Sequence, residues 1–178
     1  MFTEIPKAYG RVRLKTWSQW ADEYIKESLL TTGNLNEAIH RTERDGYTPR
    51  HIVREDNAVE NVGFDLLLSF LAASSVSGLQ YVALGTSNTA PTGTETQLPD
   101  EQIRIAVSSV SQTTGQLTVT GYFDTAQANV LLGSAALFGN GATSAANSGT
   151  IYSYVVYSQF TKNDLESLTA QWTLGFQR

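Results

Sequence analysis

Near its C-terminal end the chain reads LTAQWTLGFQ. Leu168, Ala170, Trp172, Leu174 and Phe176 point one way along an extended chain, with Thr169, Gln171, Thr173 and Gln177 between them. Strict alternation of this kind marks a strand with one buried face. Such a strand needs a second layer over its apolar side, so the chain must build a packed sheet. Other segments repeat the pattern. Residues 79–84 form a short apolar run, and Ile103, Ile105 and Val107 alternate with polar or small neighbours. Thr113-Thr114-Gly115-Gln116 supplies a hairpin turn into Leu117, Val119, Gly121 and Phe123. Residues 130–138 are apolar, and IYSYVVYSQF (151–160) is rich in aromatic and β-branched side chains. Six short strands with turn signals predict a mainly β chain, an antiparallel sandwich or barrel. We read it as an antiparallel β-sandwich of about six to eight strands.

Charge divides the chain near residue 60. Residues 1–60 carry 9 Lys/Arg and 10 Asp/Glu, whereas residues 61–178 carry 3 and 7. We therefore read residues 1–60 as an N-terminal arm and residues 61–178 as the sandwich. Within the arm, residues 1–13 lack periodicity and read as extended. Trp17, Trp20, Ala21, Tyr24, Ile25 and Leu29 recur at three- and four-residue steps, which predicts an amphipathic helix over about 16–31. Thr16 with Gln19 fits a capping box, and Gly33 fits a stop. The aromatic stripe either packs on the protein's own sandwich or docks onto another subunit. Residues 34–60 are dense in charge, with a turn at Asp45-Gly46 and a short strand over 51–54. They read as a solvated connection or as an arm ordered by a partner. FDLLLSFLAA predicts an entry helix over about 62–73 that is buried nearly all round, with Asp65 in its first turn and residues 74–78 closing it.

Several function classes are disfavoured at once. A net charge of −5 argues against a dedicated nucleic-acid binder. With no cysteine, disulfides and thiolate metal sites are excluded. The N-terminal MFTEIPKAYGRVRLK has no apolar core behind its charges, so no secretory signal is expected. The longest apolar stretch is about half the length a membrane helix needs, so no membrane partner is expected and the chain reads as soluble. His40 and His51 stand in no catalytic motif, and no nucleophile elbow, zinc-protease motif, phosphate loop or dinucleotide fingerprint is present. Asp100 and Glu101 would point to opposite faces of an extended chain, which does not suit a glycosidase pair. Too few acids line loop 86–101 for a Ca²⁺ site. We expect no catalytic residues, no cofactor and no metal. Tyr152, Tyr154 and Tyr157 are candidates for stacking on sugars, although strand packing explains them better.

YVALGTSNTAPTGTETQLPDEQIR, GYFDTAQAN, SAALFG and FTKNDLESLTAQWTLGF together resemble a β-sandwich module of tailed-bacteriophage virion proteins. The resemblance runs over about residues 60–178. It is carried by Gly85-Thr86, Pro91, Thr96, Leu98, Glu101 and Arg104, then Ala136-Leu137-Phe138, Lys162, Leu168-Thr169, Trp172 and Phe176. Ser134 stands where the family carries Glu. The resemblance implies a non-enzymatic structural protein, a capsid decoration or cement protein made in the bacterial cytoplasm and located in the virion. A tail, baseplate or fibre-attachment component is the alternative within that class, and a carbohydrate-binding sandwich is the alternative from another. Its partners would be the major capsid protein or tail components, with a homo-oligomer, a trimer favoured, as the assembly state. Under this reading Trp17, Trp20, Tyr24, Arg50, Arg54, Pro91, Glu101 and Arg104 are the expected partner contacts, and the long loop 86–101 is ordered by a neighbouring subunit.

Overall fold

The alternating C-terminal run is strand β10 (Glu166–Gln177), the middle strand of a five-stranded sheet. This placement comes from the computed structural model of the protein, which describes residues 7–72 and 76–177. In chain order the sheet's other strands are β1 (Lys7–Ser18), β2 (His51–Asp56), β6 (Ser109–Thr113) and β7 (Gln116–Phe123), and the spatial order is β2-β1-β10-β7-β6. The second sheet runs β3-β9-β8-β4-β5, built from β3 (Ala58–Val59), β4 (Leu79–Gly85), β5 (Glu101–Ala106), β8 (Leu131–Gly139) and β9 (Thr150–Thr161). Every pairing is antiparallel. The alternation therefore predicts the class correctly, while the described residues form ten strands. The hairpin at Thr114-Gly115 forms as expected, with Gly115 at φ 76°, a conformation costly for other residues.

Residues 7–18 are not an arm. β1 pairs with β10 along its whole length, from Lys7 opposite Gln177 to Ser18 opposite Glu166, and with β2 on its other side. Val12 and Leu14 enter the core between the sheets beside Val82, Leu84, Val119, Phe123, Leu137, Leu168 and Trp172. The basic residues at every second position hid this strand, because they occupy its outer face. One of them, Lys15, is buried there and donates to Glu43 at 2.5 Å.

Two helices cover that outer face. α1 (Gln19–Thr32) starts from Ser18, whose hydroxyl accepts from the Ala21 amide, so the cap is Ser18 and not Thr16. It ends at Gly33 (φ 64°) as predicted. α2 (Leu35–Arg44) corrects the reading of residues 34–60 as a solvated or partner-ordered connection. It buries Leu35, Ala38 and Ile39 against Trp17, Ala21 and Ile25. Asn36 fastens it to the sheet, its Oδ1 accepting from Thr120 Oγ1 at 2.7 Å and Gln171 Nε2 at 3.2 Å.

The second sheet is also covered outside. Ala83, Ala136, Phe138, Ile151 and Tyr154 pack under Leu98 from loop 86–100, Ala142 from loop 140–149, and Val62 of α3 (Asn61–Leu71). β8 and β9 are thus buried on both faces, which is why they read as nearly continuous apolar runs. α3 is not buried all round as expected. Leu66 is enclosed, but Phe64 is 40% and Leu68 61% exposed, because only one side of the helix meets β9. The break expected over 74–78 lies partly outside the described residues.

Trp17 sits between the first sheet and its helices and is fully buried, its Nε1 donating to Thr169 Oγ1 at 3.2 Å. Trp17→Ala should cost about 3–5 kcal/mol, read as a lowered midpoint in chemical denaturation.

Candidate interaction surface

The eight side chains expected to meet partners separate into inside and outside. Trp17 belongs to the core. Glu101 and Arg104 are also spent within the fold. A register shift in the β4–β5 pairing, next to Asp100 at φ 52°, puts both on one face although they are three apart. The guanidinium then grips the carboxylate with two parallel bonds, Nε to Oε1 at 2.5 Å and Nη2 to Oε2 at 2.6 Å, and both side chains are 2% exposed. Arg104 lies 4.3 Å above the Phe138 ring centre, and its Nη1 donates to the Ser148 carbonyl at 2.9 Å. The Asn147 amide donates to Glu101 Oε2. The pair therefore holds loop 140–149 onto β5.

Loop 86–100, which holds half-buried Pro91, is likewise tied to its own chain. The Tyr154 hydroxyl donates to Thr89 O at 2.7 Å, Gln159 Nε2 donates to Thr86 O at 2.9 Å, and the Asn61 amide donates to Gly93 O at 3.0 Å. With Leu98 1% exposed, the loop is packed against its own sheet. Tyr152, Tyr154 and Tyr157 are buried, so none of the three presents a ring face to a sugar.

Four candidates remain wholly or partly outside. Arg50 is half exposed and reaches buried Glu166 at 3.2 Å. Arg54 lies exposed on β2 directly opposite Arg13, where like charges sit side by side at the sheet edge. Trp20, at the start of α1, is 75% exposed. Tyr24 is intermediate, stacked on Tyr47 at 5.0 Å and donating to Asp45. That bond is the main reason its hydroxyl pKa is raised, and the same bond lowers that of Asp45.

The outer line of α1 runs Trp20, Glu23, Glu27, Leu30, at steps of three and four that keep one face. Leu30 is 89% exposed. Two apolar side chains about 15 Å apart, flanked by two carboxylates, make a surface suited to a partner with apolar hollows and basic rims. The opposite side of α1 is anchored by buried Asp22, which accepts from the Tyr122 hydroxyl and pairs with Lys26 at 2.8 Å. Burial first, and then this bond, push the Tyr122 pKa strongly upward. The exposed face is thus carried on a fixed helix.

A second apolar feature is a cavity of about 600 Å³ between α3 and the end of the sandwich, lined by Leu66, Phe70, Leu79, Val110, Leu117 and Tyr152, among others. None of its lining side chains is charged. Of the histidines, His40 is exposed and His51 stacks on Phe160 at 5.2 Å. Among the described residues no three His, Asp or Glu are grouped to hold a metal ion, and no helix is long and apolar enough to cross a membrane.

Fold and surface together define a two-sheet antiparallel sandwich with covered outer faces and one exposed aromatic helix face. Comparison with known proteins finds no matching family, and no significant match among curated proteins or solved structures. The residues that carry the sequence resemblance are mostly interior ones. Leu98, Arg104, Ala136, Leu137, Phe138, Lys162, Leu168 and Trp172 are all buried. Lys162 donates to Asn129 Oδ1 at 2.7 Å, and burial lowers its pKa. Ser134 is fully buried and faces Gly85, where a Cβ would lie 2.7 Å from its Oγ.

Glu101→Gln leaves the buried guanidinium without its counter-charge and should cost about 3–5 kcal/mol. Trp20→Ala should change stability by less than about 0.5 kcal/mol. Paired denaturation curves for the two variants check both outcomes.

Proposed function

We propose that the chain is a non-enzymatic structural protein of a tailed-phage virion, a capsid decoration or cement protein that docks through the outer face of α1. The observation that carries this reading is the pair of exposed apolar side chains, Trp20 and Leu30, on a helix whose other side is locked into the fold. An exposed tryptophan of this kind is a typical hot-spot residue at a protein–protein contact. Support also comes from the sequence resemblance over residues 60–178 and from helices and loops that cover much of both outer sheet faces. Arg50 and Arg54 at the β2 edge supply a secondary charged contact, which sets register more than affinity. A homo-oligomer placed at the shell's symmetry positions, a trimer first, fits this role. The tail or baseplate position is the competing outcome.

Calibrated mass spectrometry of purified particles should find a copy number equal to the major capsid protein or a simple fraction of it. A few tens of copies would move the protein to the tail, and its absence would overturn the virion reading. The double variant Trp20→Ala, Leu30→Ala should remain folded by circular dichroism. Its retention on stripped and refilled particles should fall at least about tenfold, as expected when a hot spot is truncated.

A further inference from the structure

Glu60 stands between β3 and α3, at the N-cap position of the helix, and is fully buried. Its amide donates to Tyr152 O at 3.1 Å, and its carbonyl accepts from the amides of Gly63 and Phe64, so its backbone is fixed by β9 and by the helix. Its side chain points at loop 86–100. Oε2 accepts from the Glu95 amide at 3.3 Å, while Oε1 is buried with no partner. Glu95 is itself held in a cradle of donors. Its Oε1 accepts from the amide and hydroxyl of Thr92 at 2.8 and 2.9 Å, and its Oε2 from the amides of Gly93 and Thr94 at 3.0 and 3.2 Å. The Glu60 carboxyl therefore meets Glu95 at the point where the loop meets α3. Among the described residues no Lys, Arg or His forms an ion pair with either. The other ionisable groups in reach are the Tyr154 hydroxyl on β9, bonded to Thr89 O, and Asp100 at the loop's far end. Neither supplies a positive charge.

The buried Glu60 carboxyl, set beside the partly exposed Glu95, cannot ionise alongside it without strong repulsion. The cradle of N–H groups favours the charge on Glu95, which leaves the proton to Glu60. A protonated Glu60 also gives a role to its otherwise unpartnered side. We propose that Glu60 and Glu95 share one proton and form an acid-closed latch, which fastens loop 86–100 to the start of α3 and loosens when that proton leaves. The latch is independent of where the protein assembles.

The charges shift accordingly. Burial first, then the hydrogen bond and the charge of Glu95, push the Glu60 carboxyl up to about 7. Burial opposes the charge of Glu95, but the Thr92 amide and hydroxyl and the Glu60 bond outweigh it and hold that carboxyl down at about 2. Both start from 4.5 when the loop is free. The raised Glu60 value makes its contribution complete below pH 4.5 and lost as pH climbs through 7. The lowered Glu95 value makes its contribution present above pH 4.5 and lost as pH falls through 2. The latch holds best near pH 4.5 and weakens on the alkaline side.

The test is amide hydrogen exchange of the full chain at pH 5.5 and 9, corrected for intrinsic exchange. Protection of amides 92–98 should fall at least about tenfold at pH 9, while amides of β8 hold theirs. Glu60→Gln places a permanent donor against Glu95 and should keep the loop protected equally at both pH values. Equal protection of the wild type at both would overturn the latch. A Glu60→Gln loop that still opens at pH 9 would overturn it too, since another group would then be responsible. A ¹³C titration supplies the second readout. The Glu60 carboxyl should show a midpoint near 7, and a midpoint below 5 for both carboxyls would contradict the shared proton.

Discussion

The twelve-residue ladder between the first strand and the last is the constraint on which the rest of the structure depends. β10 is a central strand only because β1 lies beside it, and β2 finds the sheet only through β1. Joining segments so far apart in the chain costs loop-closure entropy, which the burial of Val12, Leu14 and Trp17 must offset. Those three side chains divide between the two faces of β1. The first two fill the sandwich, and the third seats α1 and α2. A segment of high charge is thereby made part of the same cooperative unit as the low-charge sandwich.

Covering both outer faces has a second consequence. A sandwich with two free faces would show its polar side chains to water on each. Here helices close one face, and two long loops with α3 close the other. The scarcity of charge after residue 60 follows, since β8 and β9 meet protein on both sides. The long polar loop that carries no catalytic group is thereby accounted for. It is a lid, fixed by Leu98, by Tyr154 and by the Glu60–Glu95 contact. What stays open is the outer line of α1, the mixed charges at the β2 edge and the apolar end beside α3.

Much of this was legible in the sequence because period-two patterning reports burial of one face directly. β10 and the β6–β7 hairpin are visible in that way, and through their backbone freedom Gly115 marks the hairpin turn and Gly33 the end of α1. β1 escaped because its outer face carries Arg11, Arg13 and Lys15, which look solvated although Lys15 is buried against Glu43. Trp17 misled through spacing. It lies below the helix on the strand, so the 17, 21, 25 series touches in space without belonging to one helix. α2 escaped because it buries only Leu35, Ala38, Ile39 and Thr42 among charged neighbours. Of the expected contacts, Trp20 lies exposed on α1, whereas Glu101 and Arg104 are drawn inward by a bulge that no residue pattern announces. The Glu60–Glu95 contact joins residues 35 apart, and nothing in either local sequence points to the other.

The most direct test of the account is to produce residues 61–178 alone and record an amide NMR spectrum with a thermal melt. Without β1 and β2 the first sheet keeps three strands, β10 becomes a bare edge, and Val12 and Leu14 leave the core. The account predicts collapsed, poorly dispersed resonances and no cooperative transition. A dispersed spectrum with a sharp melt would contradict it, and would mean that the first 60 residues are an arm after all.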